Sequence, residues 1–152
     1  MKSISAKGFE LIKSFEGFRF TAYLCDANVA TIGYGATYYA NDSKVKIGDK
    51  ITKEQAEILL RKTVRDFEQN VNALLNTTPV NQNQFDALVS FAFNLGTGAL
   101  AKSTLLTKVK ANPNDPAISR EFGKWVNAGG KKRNGLVTRR RIEAELYFKP
   151  FV

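Results

Sequence analysis

The sequence predicts an α+β fold that is mostly helical, with one small sheet near its start. Three observations predict it. Several segments carry apolar residues at helical spacing behind recognisable caps. Residues 18 to 40 instead carry aromatic and β-branched residues interrupted by Gly33 and Gly35, which is the composition of short strands. After about residue 50 helical spacing resumes and recurs to the end of the chain.

The first helix places Ile4, Gly8, Leu11, Ile12 and Phe15 on one stripe, with Ser3 or Ser5 as cap and Gly17 as exit. Thr52 and Gln55 form a capping box. Behind it Ala56, Leu59, Leu60, Val64, Phe67, Val71 and Leu74 mark a helix of about 20 residues. Asn81 and Gln84 open a further helix, Phe85 to Leu95, apolar on nearly every side and so expected at the centre of a core. Ser103 caps a short helix to about Lys110. Asp115 and Pro116 start another, which contains Phe122 and Trp125 and stops at Gly129–Gly130. The last helix begins near Leu136 and uses Ile142, Ala144, Leu146 and Phe148. Lobes on either side of the long helix would leave a cleft for substrate.

The 152 residues fit one compact domain, and no repeat or linker divides them. No apolar run approaches the roughly 18 residues of a membrane span. The N-terminal segment lacks the apolar stretch of a signal peptide, so folding in a cytoplasm is expected. With one cysteine and no histidine, internal disulfides, Cys-cluster metals and Ser-His-Asp chemistry are excluded. Proton transfer falls to Asp, Glu, Lys, Tyr or Cys25, without metal or organic cofactor.

The formal charge of +9 attracts polyanions such as nucleic acid, anionic membrane or a carboxylate-rich wall. Its late concentrations are Lys131-Lys132-Arg133 and Arg139-Arg140-Arg141. A basic C-terminal helix of this kind either draws the protein to an anionic wall or outer-membrane surface, or is a solvated face. No nucleic-acid motif accompanies the charge.

Glu16 ends the first helix, where the negative end of the helix dipole disfavours its ionised form and Phe15 and Phe18 add desolvation. A carboxyl group kept protonated can act as general acid. A surface glutamate is the plainer alternative. Cys25, Asp26 and Thr31 fall on one tight hairpin, Cys25 to Gly35, whose glycines permit close approach of a backbone or ligand.

The run Glu16-Gly17-Phe18-Arg19-Phe20-Thr21-Ala22-Tyr23-Leu24, followed by Thr31-Ile32-Gly33-Tyr34-Gly35, resembles the phage-type, T4-like lysozymes of glycoside hydrolase family 24. Asn83 to Phe91, Phe93 to Gly96, Ala128 to Gly130 and Gly135 to Arg141 continue the resemblance in the family's order. It implies a lysozyme-like fold as a single domain over 1–152. A first helix and small β-lobe take about 1–50, a connecting helix about 53–75, and a helical lobe about 76–152. The activity implied is that of an endolysin, hydrolysing the β-1,4 bond between N-acetylmuramic acid and N-acetylglucosamine in peptidoglycan. Glu16 matches the family's general acid and Thr31 its threonine near the attacking water. The family's aspartate falls on Cys25. Phe93 and Asn94 match a segment facing the saccharide; core packing and helix capping are their plainer readings.

Cys25 leaves four courses open. It takes the aspartate's role, as a thiolate that orients water and that Glu16 nearby opposes; it attacks the anomeric carbon with retention; Asp26 serves as auxiliary carboxylate; or catalysis is lost, leaving a cationic peptidoglycan- or membrane-binding protein. The first is preferred because Glu16 and Thr31 both remain. A lytic transglycosylase is the nearest rival enzyme. Ala36 stands where many relatives have a histidine, which bears on local stability. The resemblance further implies a monomer held in the host cytoplasm until a holin-type partner releases it to the periplasmic wall.

Overall fold

The computed structural model describes residues 1–151. Among the described residues, seven helices and four short strands follow in the order α1 (Ala6–Glu16), β1 (Arg19–Leu24), β2 (Ala30–Gly33), α2 (Lys53–Leu75), α3 (Gln82–Leu95), α4 (Thr97–Lys102), α5 (Thr104–Ala111), α6 (Ile118–Phe122), β3 (Asn127–Ala128), β4 (Lys131–Lys132) and α7 (Asn134–Phe148). Mostly helical with small antiparallel sheets, the chain is α+β. It divides into two compact units: Phe9–Asp66, and Met1–Gly8 with the chain from Phe67 on. No helix among the described residues is long and apolar enough to cross a membrane.

In the Phe9–Asp66 unit, β1 and β2 form an antiparallel hairpin pairing Tyr23 with Thr31 and Leu24 with Ala30, with an irregularity before Tyr23. The capping box of α2 is present: the Gln55 N–H donates to Thr52 Oγ1, and the Thr52 N–H to Gln55 Oε1, both at 3.1 Å. Phe9, Ile12, Ile32, Ile51, Ala56 and Leu60 supply buried core. A Cβ on Gly33 would come within 2.9 Å of the Ala56 Cβ, so only glycine lets the strand end lie so close to α2. Lys13 on α1 pairs with Glu57 on α2, and the Arg61 guanidinium stacks 4.0 Å from the Phe9 ring centroid.

In the other unit α3 is the centre, buried continuously from Asn83 to Ala92 as its all-round apolar sequence requires. Asn81 and Gln84 cap it reciprocally, and Ser103 Oγ accepts the Leu106 N–H at 3.0 Å to cap α5. Ser5 is the cap of α1, accepting the Gly8 N–H at 3.0 Å.

Three expectations change. The helix from Asp115 to Gly129 is only α6, Ile118–Phe122. The chain then forms a β3–β4 hairpin, because Gly129 (φ 61°) and Gly130 (φ 76°) both take the left-handed conformation of a two-residue turn. A short helix not foreseen, α4, occupies Thr97–Lys102. The buried face of α7 is also not the apolar stripe. It comprises Arg139, Arg140, Glu143, Ala144 and Tyr147, whereas Phe148 is exposed. Arg139 and Arg140 are thus neither a solvated face nor available to a wall. Their guanidiniums meet the fully buried Glu143 carboxylate, Arg139 Nε at 3.2 Å and Arg140 Nε at 2.8 Å. Arg141 alone of the three is exposed.

Candidate active site

Glu16 is the last residue of α1. The helix stops there because Gly17 turns left-handed (φ 69°) and its N–H donates to the Lys13 carbonyl at 3.1 Å. The half-buried Glu16 side chain reaches the turn after β2: a Cβ placed on Gly35 would lie 3.6 Å from Glu16 Oε1. Gly35 itself has φ 95°, a conformation that favours glycine. The close approach read from the glycine pattern is the one Gly33 makes to Ala56 of α2; Gly35 and Glu16 are in ordinary contact. Ala36 closes this turn through its backbone, donating to and accepting from Ile32 at 2.9 Å each way.

Cys25 follows β1 at the hairpin bend. Its N–H donates to the Val29 carbonyl at 3.0 Å, and its own carbonyl accepts the Asn28 N–H at 2.8 Å. Asn28 takes φ 64°, which asparagine tolerates better than most residues. A hydrogen bond from the Val29 backbone, then one from the Thr31 side chain and one from the Ala27 backbone, lower the Cys25 pKa against a weaker opposing desolvation.

Thr31 is 4% exposed and its Oγ1 lies 2.9 Å from the Val29 carbonyl. A hydroxyl carries one proton, so it donates either to Val29 or to the Cys25 sulfur, and rotation about its Cβ–O bond selects between them. Cys25 and Thr31 thus share one hairpin with the Gly35 turn that Glu16 reaches. A carboxyl group and a thiol of lowered pKa are the residue types that acid–base attack by water requires.

Asp26 is exposed beside Cys25 in the bend. Phe93 and Asn94 belong to the other unit. Phe93 is half-buried and stacks edge-on against Phe67 with centroids 5.5 Å apart, the packing role open to it from sequence. Asn94 is not the helix cap, a place taken by Gly96; its Oδ1 accepts from Arg140 Nη2 at 2.7 Å. The Val29 and Ala27 backbone donors escaped sequence reasoning, since residue type does not say where an N–H points. Asn28 before the strand was the one available signal of a left-handed bend.

The family model described as phage lysozyme matches residues 13–143. The endolysin of Acyrthosiphon pisum secondary endosymbiont phage 1 is 45% identical over 151 residues, covering 95% of this chain and 97% of its own. The endolysin of Bacillus phage B103 is 48% identical over 147 residues, 95% of this chain but 54% of the relative; the chain spans about half the length of that protein. Among solved structures, the endolysin from Escherichia coli O157:H7 phage FAHEc1 superposes with a TM-score of 0.89 at 40% identity, covering 97% of this chain and 94% of that one.

Proposed function

The chain belongs to the phage lysozyme family of peptidoglycan-degrading glycosidases, and from that premise we propose that it cleaves the β-1,4 bond between N-acetylmuramic acid and N-acetylglucosamine. Glu16 protonates the leaving glycosidic oxygen. Cys25 and Thr31 hold the water that attacks the anomeric carbon from the opposite face, giving inversion. The observation that carries this reading is the placement of Glu16 at the end of α1 against the Gly35 turn, in the same unit as the hairpin that bears Cys25 and Thr31; the lowered Cys25 pKa favours a thiolate where the family resemblance leads one to expect a carboxylate.

The proton moves in a closed circuit. Water loses a proton to the Cys25–Thr31 pair as its oxygen bonds to carbon, and Glu16 delivers its own to the departing sugar. Solvent resets both groups. The reading extends to action at the cell wall, after release by a holin-type partner.

Muropeptide analysis of digested, purified peptidoglycan tests it, comparing wild type with Glu16→Gln and Cys25→Ala. New reducing N-acetylmuramic ends in wild type, lost by roughly 10²-fold or more in each variant, are expected for removal of one acid or base. Full activity in Cys25→Ala refutes the role given to sulfur. Anhydromuramic ends would identify a transglycosylase instead, and no cleavage by folded wild type would refute the enzyme reading.

A further inference from the structure

The Phe9–Asp66 unit carries a groove of about 580 Å³ that shares no lining residue with the Glu16, Cys25 and Thr31 site. Its rim is tied down. The Tyr39 hydroxyl donates to Asp49 Oδ2 at 2.7 Å, the same oxygen accepts the Lys46 N–H at 2.9 Å, and Lys62 Nζ holds the Ala40 carbonyl at 3.2 Å. Burial and this bond push Tyr39 up to about 12, so the phenol stays a neutral donor and Asp49 stays fixed.

Three polar groups on the rim, Asn41, Gln55 and Asp49, have one half committed internally, which fixes what the other half offers. Asn41 uses Oδ1 to accept from the Ser43 N–H and hydroxyl at 3.1 and 2.6 Å, leaving its NH₂ as donor. Gln55 uses Oε1 in the α2 cap, again leaving an NH₂ donor. Asp49 has Oδ2 engaged, leaving Oδ1 as acceptor. Beside them Ile58 is 67% exposed and lines the groove next to Leu59. Two amide donors, one carboxylate acceptor and an apolar wall complement an acetamido group: a carbonyl that accepts, an N–H that donates and a methyl to bury. A simple anion is drawn by Lys50 but repelled by Asp49, and a wholly apolar ligand strips water from Asp49 and both amides without replacing it.

We propose that this groove is a second saccharide site, which takes the 2-acetamido group of a peptidoglycan sugar distinct from those at the scissile bond. It rests on the proposed peptidoglycan substrate, in which every sugar bears such a group. A weak second contact on the same polymer raises the effective concentration of substrate at the first.

Titration of ¹⁵N-labelled Glu16→Gln protein with tri-N-acetylchitotriose, and separately with deacetylated chitotriose, tests the assignment. Saturable shifts at the Asn41, Gln55 and Ile58 amides with the acetylated sugar alone are expected. Ile58→Glu, an exposed position that the fold tolerates, should weaken them roughly tenfold. Shifts around Glu16, Cys25 and Thr31 with none in the groove overturn the second site and leave the catalytic reading standing. Groove shifts without the others support the second site against that reading. Equal shifts with deacetylated sugar overturn recognition of the acetamido group, and no shift at either place overturns saccharide binding by the groove.

Discussion

Glu143 is the residue whose removal should cost the fold most. Its carboxylate is fully buried and accepts from the Ser90 hydroxyl at 2.5 Å, while Arg139 Nε lies at 3.2 Å from one oxygen and Arg140 Nε at 2.8 Å from the other. Glu143→Gln keeps the shape and can keep the Ser90 contact, but leaves two nearly buried guanidiniums without a counter-ion. Breaking a buried pair by removing one partner costs about 3–5 kcal/mol. For a chain of this length each kcal/mol lowers Tm by about 2–4 °C, so a fall of about 6–20 °C is expected. Glu145→Gln is the internal control. Its Arg141 partner sits 3.4 Å away with both side chains more than half exposed, and such pairs contribute at most about 0.5 kcal/mol. Urea titrations of both variants beside wild type measure the difference. If Glu143→Gln lies within about 1 kcal/mol of wild type, the network is not holding α7 to α3 electrostatically and the reasoning fails.

Cys25 should react with iodoacetamide with a pH midpoint below the roughly 8.5 of a free thiol, and Thr31→Val should move that midpoint up; a midpoint at or above the free value refutes the hydrogen-bonded thiolate. Because the folded pKa is the lower one, any stability this group adds is present above the unfolded pKa and is lost as pH falls through the folded value. Gly33→Ala should lower the unfolding free energy from urea titration by at least about 1 kcal/mol, from a left-handed backbone (φ 63°) and a methyl 2.9 Å from the Ala56 Cβ; an unchanged value would show that α2 and β2 part easily. Ser103→Ala removes the α5 cap and should cost about 1 kcal/mol, measured in the same titration.

What could be read from the sequence was what a few neighbouring residues decide among themselves. Thr52 with Gln55, Asn81 with Gln84 and Ser103 cap helices through bonds three residues apart, so spacing suffices to find them. The spacing of Glu16, Cys25 and Thr31 likewise survives as a resemblance. Arg139 and Arg140 were misplaced because the groups that draw them inside, Ser90 and Asn94, are 49 and 46 residues away in the chain, and a run of three arginines looks solvated without them. Gly129–Gly130 was read as a helix stop because two glycines serve a stop and a hairpin turn equally well. Only the following Lys131–Lys132, returning alongside Asn127–Ala128, decides between the two.

Two of the perturbed acids of this chain, Glu143 and Cys25, separate structure from chemistry. Burial pushes the Glu143 carboxyl up against the pull of Arg140 and the Ser90 hydroxyl, and judged by perturbation it would be the candidate catalytic group. Yet it is sealed from solvent and surrounded by the side chains that hold it, so no substrate or water can exchange a proton with it. Cys25 is only half-exposed at the tip of a bend, but it is reachable. Its stabilising donors are two backbone N–H groups and one hydroxyl that can rotate, so its anion can form and discharge without moving the fold. A proton-transfer site needs an ionised form that is stabilised and also accessible, which Glu143 lacks and Cys25 has. In the hydrolysis proposed for this site, a thiolate held this way offers water the charge that a carboxylate would offer.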